Sequence, residues 1–338
     1  MPKAKNKNNA KAGKPQPQKP PAPEPGKILL SVKDLCMYFD AAGKRIKASE
    51  HISFDIREGE TFGLVGESGS GKSTIGKCII GLNRPTSGSI IFRGNEITGI
   101  KSRKEFIEKT NGLQMIFQDP MSSLNPKKQV GQILREALSI QGIGKNGEER
   151  SRLVSEALER VGIPPEYANR YPSGFSGGQR QRIGIARALA GDPKLIIADE
   201  CIAALDASVQ AQIVNMLQRI KTETGTSLLF ISHDLSMVRF LSDRIGVLHL
   251  GYLLETGTSE EIFRAPVHPY TKGLLSAIPK MNPVVPYSAN ERYDPVSAGI
   301  DYGLGTWHKI TDTHSVLCTD SEYGKWVKDA KAGELYER

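Results

Sequence analysis

Residues 66–73 read Gly-Glu-Ser-Gly-Ser-Gly-Lys-Ser and fit the pattern G-x-x-x-x-G-K-[ST]. Glycines at 66, 69 and 71 let the backbone curl until its N–H groups converge on an anion, and a following helix adds its N-terminal dipole. Lys72 can reach the β- and γ-phosphates of a nucleoside triphosphate, and the Ser73 hydroxyl can ligate magnesium. Glu67, Ser68, Ser70 and Thr74 complete the set assigned to nucleotide binding. The apolar run TFGLV at 61–65 precedes the loop as a short buried strand, and a helical stretch from Lys72 to Ile80 follows it, which is the context this chemistry needs.

A second group supplies the acids. Leu195–Ala198 is an apolar run that ends in Asp199 and Glu200. Asp199 is placed to hold the magnesium shell, and Glu200, one residue on, can polarise the attacking water as general base. A strand ending in carboxylates is a weak signal alone; with the phosphate loop it points to nucleotide hydrolysis.

A third group narrows the class. Phe175-Ser176-Gly177-Gly178-Gln179 precedes RQRIGIARALA. A serine hydroxyl and two glycine N–H groups at a helix start make an anion site. Here the chain resembles the ATP-binding cassette family, whose signature is L-S-G-G-Q, with Phe175 replacing Leu. The resemblance implies that Ser176, Gly177, Gly178 and Gln179 face the γ-phosphate held by an opposing subunit. It also implies that Gln118 senses magnesium and relays to membrane subunits, that Ala204-Leu205-Asp206 crosses the dimer interface, and that His233 in Ile-Ser-His-Asp contacts the γ-phosphate. The aromatic that stacks on adenine falls within Cys36–Phe39. Spacing selects Phe39, with Tyr38 as the alternative. The family commonly has Pro-Thr-Ser after the catalytic Glu, where this chain has Cys201-Ile202-Ala203. That departure leaves the other positions in place, so an active ATPase using ATP and Mg2+ is expected.

The resemblance spans about residues 28–279 and is nearest to the second ATPase subunit of oligopeptide and dipeptide importers. Three segments carry it: Phe117-Gln118-Asp119-Pro120 through Pro126, Ala204-Leu205-Asp206 through Gln212, and His268-Pro269-Tyr270 through Pro279. It implies a second related ATPase subunit (the same chain or a different one), two integral-membrane permeases and an extracytoplasmic peptide-binding protein, with this chain peripheral at the cytoplasmic face of the membrane. Nickel and glutathione importers share the branch. Soluble ABC ATPases of DNA repair place a long coiled coil between loop and signature, whereas about a hundred residues without sustained heptads separate Ser73 from Ser176. Some branch members carry a C-terminal cysteine cluster that holds iron–sulfur; only Cys318 lies in that region here, so none is expected.

The elements that must position these residues follow from periodicity. Strand-like runs at Ile28–Leu35, Ile52–Ile56, 61–65, 89–92, 113–117, 195–198, 227–231 and 245–250 alternate with helical stretches, including an amphipathic one from Ser208 to Lys221. Strands alternating with helices imply an α/β fold with a mainly parallel sheet. The whole is expected to be a P-loop NTPase core with an N-terminal antiparallel β part and an inserted helical subdomain at about 119–190. The ATPase domain is taken as 28–265 and a C-terminal extension as 266–338, of which 280–338 shows no assignable pattern.

The 338 residues carry a net charge of +8, unevenly placed. Residues 1–27 hold seven Lys against one Glu, leaving the rest near neutral, so the charge makes no case for nucleic acid. The four cysteines are scattered in sequence, as suits a reducing compartment. No run approaches the ~18–20 apolar residues that cross a bilayer. The first 27 residues also hold seven Pro and almost no large apolar residues, a composition that cannot build a core. Deleting residues 1–26 is therefore expected to leave melting temperature and ATPase activity nearly unchanged; a large drop in melting temperature would show that the tail packs against the domain.

Overall fold

The computed structural model describes residues 26–41, 43–119, 123–203, 205–277 and 293–332; most of the basic tail lies outside these. The strands among them are β1 (Ile28–Ala41), β2 (Lys44–Arg57), β3 (Thr61–Val65), β4 (Ser87–Phe92), β5 (Asn95–Glu96), β6 (Leu113–Ile116), β7 (Leu195–Asp199), β8 (Ser227–Ser232), β9 (Arg244–His249), β10 (Tyr252–Thr258), β11 (Thr306–Lys309) and β12 (Ser315–Cys318). They form an antiparallel sheet in the order β2-β1-β4-β5 and a larger sheet in the order β11-β12-β10-β9-β3-β8-β7-β6. Pairings among β3, β6, β7, β8 and β9 are parallel; those involving β10, β11 and β12 are antiparallel.

β3, β7 and β8 are buried at every residue, as a central parallel strand covered on both faces must be. Their alternate side chains feed two cores. Ile196, Ala198, Leu228 and Phe230 pack with the helices Val130–Ile140, Gly147–Arg160, Gly177–Leu189 and Ala207–Thr224. Leu195, Ile197, Leu229 and Ile231 pack with Ile75 and Ile79 of the helix Lys72–Ile79 and with Leu30, Ile52, Phe54 and Ile90 of the antiparallel sheet. The helix Val130–Ile140 turns Val130, Ile133, Leu134 and Leu138 inward at helical spacing and starts in a capping box at Gln129. Among the described residues, no helix is long and apolar enough to cross a membrane.

Two regions differ from the sequence reading. β1 and β2 run on past Leu35 and start before Ile52, pairing through Tyr38↔Lys47, Phe39↔Ile46 and Asp40↔Arg45. The far end of this hairpin is mostly exposed, so no apolar alternation marks it. Residues 293–332, where no pattern was assignable, contain β11, β12 and a helix from Asp320 to Ala332, and β12 pairs with β10 to extend the main sheet.

That junction is organised around Glu255 of β10, which is fully buried. Its carboxylate accepts the backbone N–H groups of Val267 at 2.7 Å and His268 at 3.0 Å, and bonds Nε2 of buried His314 at 2.7 Å. Removing one partner from a buried polar network strands the others without acceptors. Glu255→Ala is expected to lower unfolding free energy by about 3–5 kcal/mol in urea denaturation. A loss below about 1 kcal/mol would show that water replaces the carboxylate freely.

Candidate nucleotide-binding site

The phosphate loop closes between β3 and the helix Lys72–Ile79. Gly71 caps that helix at φ 102°, and a Cβ there would lie 2.0 Å from the Ala48 carbonyl oxygen of β2. At Gly66 a Cβ would lie 2.0 Å from the Leu248 carbonyl oxygen. Glycine is thus required by contact with two neighbouring strands. The β9–β10 turn backs the loop as well: Leu250 and Gly251 both have positive φ, as a two-residue hairpin of this kind demands, and Gly251 N–H donates to the Ser70 carbonyl at 3.0 Å.

Lys72 is buried, and its ammonium donates to the carbonyls of Gly66 at 2.8 Å and Glu67 at 2.7 Å. Burial lowers its pKa, against the opposing pull of Glu200 and Asp199. The Ser73 hydroxyl donates to Asp199 Oδ1 at 2.6 Å. Burial raises the Asp199 carboxyl above its usual value, opposed by that hydrogen bond and by Lys77 and Lys72.

Glu200 sits at φ 43°, a left-handed conformation uncommon for a side-chain-bearing residue, and its N–H donates to the Ile231 carbonyl at 3.0 Å. Its carboxylate lies 3.7 Å from Lys72 Nζ, accepts from Gln118 Nε2 at 3.1 Å and lies 3.7 Å from His233 Nδ1. Lys72, Ser73, Gln118, Asp199, Glu200 and His233 therefore converge. The ends of β3, β6, β7 and β8 deliver them.

Other sequence-selected residues lie apart from this cluster. Ser176 and Gln179 bond each other in a capping box at the start of the helix Gly177–Leu189. Gly178 packs near Val209, so this turn lies beside the first turn of the helix Ala207–Thr224, which Asp206 precedes. Phe39 is exposed on the hairpin whose Ala48 touches the loop at Gly71. Tyr38 carries Arg45 and Lys47 over its ring at 5.7 and 6.0 Å, which favours Phe39 as the aromatic face open to a base.

Two contributors escaped the sequence reading. Arg187 of the helix Gly177–Leu189 donates to the Ser123 carbonyl and lies over the Phe117 ring at 5.9 Å, tying that helix to the Gln118 loop. Tyr270 accepts the Glu67 N–H at 3.1 Å. Tyr270 stands in a quoted family segment and Arg187 in the run after Gln179, but nothing in the sequence marks these contacts, because each partner is distant in the chain and the bonds engage main-chain atoms.

A phosphate loop, paired acids at a strand end and a glycine-rich helix cap on an α/β core define a nucleotide-hydrolysing cassette. Comparisons agree. The ABC transporter family model matches residues 49–203, and the model of the oligopeptide/dipeptide transporter C-terminal region matches 254–293. The oligopeptide transport ATP-binding protein OppF of Bacillus subtilis (strain 168) is 50% identical over 299 residues, 87% of this chain and 97% of the relative. The dipeptide transport ATP-binding protein DppF of Lactococcus lactis subsp. cremoris is 48% identical over 314 residues, 91% of this chain and 99% of the relative. Among solved structures, the dimeric ATP-binding cassette MJ0796 bound to ADP and Pi superposes with a TM-score of 0.63 at 28% identity, over 68% of this chain and 99% of that one. The chain belongs to the ABC transporter family, in the branch that carries the oligopeptide/dipeptide transporter C-terminal region.

The buried Asp199 gives a direct test. A carboxyl whose folded-state pKa is raised stabilises the fold below its unfolded value, and that contribution is lost as pH rises through the folded-state value. At neutral pH the raised pKa of Asp199 therefore costs stability in nucleotide-free protein. Asp199→Asn keeps an acceptor for Ser73 and is expected to raise the melting temperature at pH 7 by a few degrees. The gap narrows as pH falls toward the ordinary value of 3.8. A lower melting temperature for the variant at pH 7 would contradict the burial cost.

Proposed function

We propose that this chain is the ATP-hydrolysing motor subunit of a membrane transporter that imports oligopeptides or dipeptides. It works as half of a nucleotide-sandwich dimer with a second related ATPase subunit. The pair drives two membrane permeases from the cytoplasmic face, and an extracytoplasmic binding protein delivers cargo. The convergence of Glu200 with Lys72, Gln118 and His233 beside the Ser73–Asp199 pair carries the hydrolytic part of this reading. The names of the curated relatives support the cargo class, and the dimeric state of MJ0796 supports the pairing.

Lys72, held by two loop carbonyls, turns to the β- and γ-phosphates when nucleotide enters, and the loop N–H groups bind the phosphates. Phe39 stacks on adenine. Ser73, Gln118 and Asp199 present hard oxygen donors suited to magnesium, and burial, which raises the Asp199 pKa, makes a nearby cation the more favourable partner for its carboxylate. Magnesium supplies neutralisation of charge on the phosphate oxygens. Glu200 orients the attacking water and takes its proton, while the Gln118 amide fixes its carboxylate and His233 contacts the γ-phosphate. The turn at Ser176–Gln179, satisfied within its own cap, serves the site of the partner subunit. Asp206 lies in the loop that crosses between them.

Glu200→Gln is expected to retain ATP binding and to slow hydrolysis by at least about 10²-fold in the assembled transporter; near-normal turnover would remove Glu200 from the role. Peptide uptake into vesicles holding the whole transporter, with nickel and glutathione as competitors, tests the cargo class.

A further inference from the structure

The C-terminal region reaches the phosphate loop with the hydroxyl of Tyr270. Tyr270 Oη accepts the N–H of Glu67 at 3.1 Å. The carbonyl of the same peptide unit, that of Gly66, accepts Lys72 Nζ at 2.8 Å. In a planar trans peptide the N–H and C=O point in opposite directions. Tyr270 and Lys72 therefore grip the two ends of one rigid unit at the entry to the loop.

The residue that carries the hydroxyl is itself held from several sides. Tyr270 is fully buried, and its ring stacks on His249 with centroids 4.1 Å apart. His249 Nδ1 bonds the Tyr302 hydroxyl at 2.8 Å, and the Tyr293 ring lies 5.5 Å from Tyr270. Tyr270 stands in the first turn of the helix Pro269–Ser276, where its N–H donates to His268 Nδ1 at 3.0 Å. The His268 N–H in turn rests on buried Glu255. A ring so confined has little freedom to follow the loop, so the loop must conform to the ring.

We propose that Tyr270 is a positioning residue for ATP: its hydroxyl holds the Gly66–Glu67 peptide in the orientation that presents the loop N–H groups to the phosphates. The proposal rests on reading Gly66–Ser73 as the ATP site. It assigns the C-terminal region a share in nucleotide affinity, because the packing of residues 249, 268, 293 and 302 fixes the hydroxyl.

Tyr270→Phe keeps the ring and its stacking and removes only the acceptor. In the assembled transporter, KM for ATP is expected to rise about three- to tenfold with kcat within about twofold, the scale of one hydrogen bond. Titration of the purified chain with ATP and with ADP should show the same rise in Kd, with a melting temperature within a few degrees of wild type. His249→Phe, which retains an aromatic under Tyr270 but breaks the bond to Tyr302, should raise KM in the same direction by a smaller factor. Wild-type ATP binding reports separately on the phosphate-loop reading; only the difference between wild type and variant reports on Tyr270. Equal KM and Kd for wild type and Tyr270→Phe, or a fall in kcat with KM unchanged, would overturn the proposal.

Discussion

A buried ammonium must be surrounded by acceptors, and the region from residue 48 to 251 is arranged to provide them for Lys72. Its acceptors are main-chain carbonyls of Gly66 and Glu67, which can face inward only because the chain curls. The curl needs glycine at 66 and 71, where Leu248 and Ala48 press so close that no Cβ fits. Those pressing atoms belong to β9 and β2, so both sheets must be in place before the loop can hold its shape. The loop is therefore a product of the tertiary fold, since a short glycine-rich peptide alone would lose too much conformational entropy to stay curled.

The acids impose a matching demand. Asp199 and Glu200 stand in sequence, beside one lysine, at the end of a strand buried at every residue. Successive residues of a strand point to opposite faces, and the left-handed turn at Glu200 breaks that alternation. Both carboxylates thereby stand at the phosphate loop, Asp199 on Ser73 and Glu200 beside Lys72. Such a conformation persists only where surroundings over-determine it, and the bond from its N–H to Ile231 is one such restraint. Gln118 reaches the same carboxylate, while Arg187 anchors the Gln118 loop to the signature helix. Two links thus join the helix Gly177–Leu189 to the Glu200 carboxylate.

Much of this was legible in the residue pattern, for reasons that also explain what was not. Largely apolar runs at 61–65, 195–198 and 227–231 mark strands covered on both faces, and residue types in their spacing single out Lys72, Ser73, Asp199 and Glu200. The outer hairpin of β1 and β2 is held by backbone pairing between exposed residues, so periodicity is silent there. β10 carries a buried glutamate in its middle, which disguises it as a polar segment. β11 and β12 are four residues each, too short to show a period. Tyr270 was visible only as part of a family motif; its partner lies 203 residues earlier and is a main-chain N–H, which no side-chain pattern can announce.

The antiparallel edge formed by β10, β12 and β11 has a bearing on how the protein can be cut and handled. The residues that resemble the cassette end near 279, which invites truncation there. A chain so shortened would bare the flank of β10 that pairs with β12 through Glu255↔Val316 and Thr256↔Ser315. An unpaired flank, with its free N–H and C=O groups, is a template for another chain. β11, with its largely exposed TWHK sequence, is a poorer template, short and carrying a lysine. The C-terminal strands thus act as a selvedge, finishing the sheet so that it does not ravel into its neighbours.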